Sequence, residues 1–105
     1  MNQRKIKDNA AEWEKDQEFA FFLEKFGKNV KKTRTTKRKV ANKEGMFTQE
    51  YFDNINTGKK GKGIKIDLKY YQKIEAGSVN ASLYLVWKLA RKLEVDVAEL
   101  FKDLS

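Results

Sequence analysis

The sequence predicts an all-α fold, and three observations predict it. Apolar residues recur at steps of three and four in several separate segments, which stacks them on one face of a helix. Thr, Asp and Gly stand where those segments would begin and end. No segment makes a convincing strand by alternating apolar with polar residues.

The elements follow in chain order. Residues 1–16 are polar and mixed in charge, with Trp13 the sole large aromatic, and read as an N-terminal arm. Phe19, Phe22, Leu23, Phe26 and Val30 then form one stripe of a helix expected from about Gln17 to Arg34. Gly27 lies inside it at a cost of roughly 1 kcal/mol relative to Ala. From Lys25 to Lys43 there are nine basic and no acidic residues, and the middle of this run lacks the apolar content to join a core. Gly45 punctuates the chain. Thr48 then caps a short helix carrying Tyr51, Phe52 and Ile55, followed by a Gly- and Lys-rich loop over residues 56–63.

Asp67 is the expected N-cap of the next helix, which buries Leu68, Tyr71 and Ile74, ends at Gly77, and presents Lys69, Gln72 and Lys73 on its other side. After a break over residues 78–82, Leu83, Val86, Leu89, Ala90 and Leu93 define a further amphipathic helix with Lys88, Arg91 and Lys92 opposite. A last short helix carries Val97, Leu100, Phe101 and Leu104, with Asp96 and Glu99 set as a capping box. Tyr71, Ile74, Leu83, Val86, Leu89, Leu93 and Phe101 are assigned to the core, and Trp87 to the core or a subunit interface.

A chain of 105 residues holds one domain and a short appendage. Its formal charge is +8, and the excess is uneven: residues 1–65 carry 17 basic and 9 acidic side chains, residues 66–105 six of each. This asymmetry points to a polyanionic partner met by the first part of the chain. With neither Cys nor His, disulfides, the usual zinc sites and Ser-His or Cys-His catalysis are excluded. No catalytic residue, metal or cofactor is expected. The longest apolar run, residues 19–23, is too short to span a bilayer, and the start lacks a signal peptide's apolar stretch, so a cytoplasmic protein is the expectation.

Four pieces in fixed order carry a family resemblance. They are Phe26-Gly27-Lys28-Asn29-Val30, Thr48-Gln49-Glu50-Tyr51-Phe52, Ile74-Glu75-Ala76-Gly77, and Asn80-Ala81-Ser82-Leu83 leading into Leu89-Ala90-Arg91-Lys92-Leu93-Glu94-Val95. Residues 26–104 resemble the phage-repressor-like (Cro-type, XRE-like) helix-turn-helix DNA-binding family. The resemblance implies a five-helix repressor-like domain over residues 17–105, here with an extended N-terminal helix and basic insertions at 35–45 and 57–65.

It further implies that residues 48–55 cross the DNA backbone while residues 67–76 enter the major groove. Lys69, Gln72 and Lys73 would read bases, since Lys donates to guanine O6 and N7 and Gln pairs with adenine N6 and N7. Tyr70 would touch phosphate or a thymine methyl, and Gln49 would contact the backbone and brace a side chain of the reading helix. Arg34 would pair with a buried structural Glu75. Lys59, Lys60 and Lys62 would add phosphate contacts, as would the 35–45 run. The function implied is a transcriptional regulator that binds double-stranded DNA as a homodimer. Two other readings stand beside it: an antitoxin-like module whose helix from Gln17 to Val30 covers a toxin-like protein, and a nonspecific nucleic-acid binder.

Overall fold

A computed structural model describes residues 11–41, 46–53 and 64–104. Three α-helices are present among them: α1 (Gln17–Ala41), α2 (Leu68–Glu75) and α3 (Leu83–Leu93). Three short 3-10 helices accompany these, at Glu12–Lys15, Gln49–Asp53 and Val97–Phe101. No strand occurs among the described residues, and no helix there is long and apolar enough to cross a membrane.

The all-helical class therefore holds, but the five-helix count does not. The segments expected as the second and fifth helices each wind for only five residues, as 3-10 turns. So short a stretch gains too few i to i+4 hydrogen bonds to offset α-helix nucleation. At Gln49–Asp53 two successive rings, Tyr51 and Phe52, are both buried, and that burial rather than a helical stripe sets the local path. At Val97–Phe101 only Leu100 is buried, and Asp96 makes no side-chain cap.

The first helix also runs past its expected end. It continues to Ala41, so residues 35–41 of the presumed insertion are two further turns of α1. Arg38 and Lys39 in the last turn complement the negative end of the helix dipole. Lys37 holds the extension down, its Nζ donating to the Glu94 carbonyl at 3.4 Å and lying 5.8 Å from the Phe47 ring centre.

Gly27 is the contact point of α1 and α2. A Cβ there would stand 2.5 Å from the Glu75 carbonyl oxygen and 2.6 Å from that of Ile74, so only glycine admits this approach. Beyond α2, Gly77 turns the chain at φ +74°, with the α1 backbone at Glu24 filling the space a side chain would need. The Asp67 side chain caps the other end of α2 by accepting from the Tyr70 amide at 3.0 Å.

Two packed regions result. Below α2 lie Phe47, Tyr51, Phe52 and Tyr71, with the Phe52 and Tyr71 rings stacked at 3.9 Å. Along the first half of α1 runs an aromatic ladder from Trp13 through Phe19 and Phe22 to Phe101, which also meets Phe26 at 5.1 Å. Asn29 fastens the C-terminal turn to α1 by donating to the carbonyls of Leu100 and Lys102, at 3.2 and 2.6 Å.

Three core and surface assignments change, and one of the two alternatives for Trp87 falls away. Leu83 is 81 % exposed and Phe101 38 %, so neither is core; Trp87 is 46 % exposed on α3, which excludes the core alternative and leaves the interface one as an expectation. Lys92, expected on the polar face, is fully buried. Its Nζ donates to the Ile64 carbonyl at 2.6 Å and lies 5.0 Å from the Tyr51 ring centre, tying α3 to the chain that enters α2. Burial pushes its pKa down from the usual lysine value.

Candidate nucleic-acid interface

The polar centre of the molecule is one carboxylate. Glu75, in the last turn of α2, receives Arg34 Nε at 2.7 Å on Oε2 and Arg34 Nη2 at 3.4 Å on Oε1. Gln49 Nε2 donates to Oε1 at 2.9 Å, and the Tyr71 hydroxyl, four residues earlier on α2, donates to Oε2. Arg34 Nη1 also reaches the Phe47 carbonyl at 3.3 Å. The pair is shielded from water, with 7 % of the Arg34 side chain and 6 % of the Glu75 side chain exposed.

Charge and burial oppose each other here, and the hydrogen bonds decide. Burial drives the Glu75 pKa up, but donation from Arg34, Tyr71 and Gln49 outweighs it and holds the carboxyl below its ordinary value. Burial likewise works against the Arg34 charge, and Glu75 overrides it, so the guanidinium is held more firmly charged than usual. The Tyr71 hydroxyl is pushed far above the phenol range, first by burial and then by its bond to Glu75. A buried pair of this kind fixes geometry more than it adds stability.

From this centre a hydrogen-bond chain leads outward. Gln49 Oε1 accepts from Gln72 Nε2 at 3.1 Å, so the 3-10 turn braces a side chain on the outer face of α2. Lys69, Gln72 and Lys73 are all exposed along that face. Tyr70 is partly buried against the core and is less outward than its neighbours. The brace uses one amide hydrogen of Gln72 and leaves its second hydrogen and its carbonyl oxygen available, one donor and one acceptor side by side.

Arg34, Gln49, Gln72 and Glu75 are thus brought together, with Lys69 and Lys73 beside them. Lys59, Lys60 and Lys62 lie outside the described residues. Two side chains near the site were not singled out from the sequence, although Arg38 falls within the basic run 35–45. Phe47 supplies both a carbonyl to Arg34 and a ring to the core beneath α2. Arg38 lines a hollow with Arg34, Thr48, Gln49 and Glu50. Its position one helical turn after Arg34 is the signal that would have found it, had the helix been carried beyond Arg34.

No protein-family model, no curated protein and no solved structure matches the chain.

Proposed function

We propose that the chain is a sequence-specific DNA-binding regulator of the helix-turn-helix class, with α2 as the helix that enters the major groove. The observation that carries this reading is the outer face of α2. It presents Lys69, Gln72 and Lys73 to solvent on a helix fixed at its end by Arg34 and Glu75, with Gln72 braced by Gln49. The free donor and acceptor of Gln72 match adenine N7 and N6, and the two lysines match guanine O6 and N7. The basic excess of residues 1–65 would supply backbone attraction.

Action as a homodimer on a two-fold site accompanies this reading, supported by the exposed Leu83, Tyr84 and Trp87 on α3. The deciding experiment selects bound sequences from a random duplex library. A single enriched half-site, repeated about one helical turn apart, is the expected outcome. Gln72→Ala and Lys73→Ala should each relax preference at one base position by roughly 1–3 kcal/mol. A pool that remains random after selection would overturn the reading.

A further inference from the structure

Resting on that reading, we infer that the α2-facing edge of α1, with Lys31 and Arg38 on it, is a built phosphate rail. It grips one DNA backbone while α2 occupies the groove. The edge is defined by contacts already described: Gly27 meets the α2 backbone and Arg34 meets Glu75. At 100° per residue, Lys31 and Arg38 fall about 60° and 40° from Arg34, on the same side as Gly27 at about 20°. Lys37 and Asn29 project to the other side, where they hold Glu94 and the C-terminal turn. Gly27 and Arg34 anchor the α2-facing edge, while Lys31 and Arg38 on that edge are left to solvent.

Three features make this edge a binding surface rather than an ordinary solvated face. Lys31 and Arg38 are exposed, and no carboxylate pairs with either among the described residues. Arg38 opens onto the hollow shared with Thr48 and Gln49, in which Glu50 is the single carboxylate, and Gln49 continues directly to Gln72. Arg38, at the hollow, and Gln72, on the reading face, thus flank the same side chain, Gln49. The extension that carries Arg38 is also stiff: Arg34 and Lys37 tie it to Phe47 and Glu94, and Ala41 packs on the core. A cation held in place loses less freedom on meeting a phosphate than one on a loose loop. A phosphodiester backbone, regular and anionic, is the partner such a row fits.

The test measures binding to the selected duplex and to a scrambled duplex across a salt series, for the full chain, for Lys31→Ala/Arg38→Ala, and for Lys88→Ala as a charge control away from the rail. The double variant should lower the slope of log K against log salt by about 1.8, at about 0.9 per phosphate contact. It should weaken both duplexes in parallel, keep the sequence preference, and leave the melting temperature unchanged, while Lys88→Ala leaves the slope unchanged. An unaltered slope in the double variant, with the selected duplex still preferred, would overturn the rail and spare the proposed function. A slope lowered by Lys88→Ala about half as much as by the double variant would also overturn it, because each lost charge would then count alike wherever it stands. Loss of slope without any sequence preference in the unmodified chain would keep the rail and remove the proposed function. Tighter binding of duplex RNA than of either DNA would overturn both.

Discussion

From Gln17 to Val30, α1 is held by rings and branched chains: Phe19, Phe22, Leu23 and Phe26 pack along the ladder that Trp13 begins and Phe101 ends. From Lys31 to Ala41 the same helix has almost no apolar side chain to bury, and it is held by Arg34 on Glu75 and by Lys37 on Glu94. The first half gains stability from area removed from water, which tolerates small shifts. The second half depends on directed bonds, which do not. A helix that must present charge can thus be fixed without spending its surface on hydrophobic contact.

The largest effect should come from the first half. Phe26→Ala removes a ring that is 4 % exposed and should cost about 3–5 kcal/mol in urea unfolding, with a shift in Trp13 emission as the ladder loosens. In the second half, Arg34→Met keeps the aliphatic stem but leaves the buried Glu75 without its cation. A loss of about 3 kcal/mol is expected, with faster amide exchange over residues 35–41. A cost below about 1 kcal/mol would mean that the polar anchor is not what holds this half.

Gly27→Ala, at the junction of the halves, forces a methyl against the carbonyls of Ile74 and Glu75 and should cost about 1–3 kcal/mol despite the better helix propensity of Ala. A stabilised variant would show that the two helices can part without penalty. The smallest effect is one of pH. Because Glu75 has a folded pKa below its unfolded value of 4.5, its contribution is complete above that pH and is lost as pH falls through the folded value. Glu75→Gln should therefore flatten the acid limb of melting temperature against pH, and superimposable limbs would remove Glu75 as its source.

The sequence marks α2 and α3 to within a residue, because Asp67, Gly77 and Leu83 are local signals that local forces obey. It misses the end of α1 because the anchors of that segment are tertiary: Phe47 and Glu94 are distant in sequence and invisible to periodicity. The short turns at 49–53 and 97–101 carry a helical pattern too brief to specify which helix forms. Leu83 and Lys92 exchange roles for a related reason. A stripe gives a face but not its edge, and Leu85, Leu89 and Lys92 at i, i+4 and i+7 were the pattern that placed Lys92 inside. Of the candidate site, the resemblance implies Arg34 with Glu75, and a brace from Gln49 to an unspecified side chain of α2; the first pair stands within hydrogen-bond distance, and the side chain that Gln49 meets is Gln72. Arg38 required the longer helix.

The backbone contact at Gly27 also has a mechanical side. With no side chain between them and a buried ion pair two turns further along α1, α1 and α2 are coupled as a single beam. α1 is 25 residues long, about 37 Å, and Gly27 divides it into two arms of comparable length. A rotation of α2 by about 10° would sweep each end of α1 through roughly 3 Å. One end would drag the Phe19 ladder and the other the lysine contact at Glu94. The helix at the proposed groove therefore resists tilting with the leverage of the whole beam, not with the strength of its own eight residues.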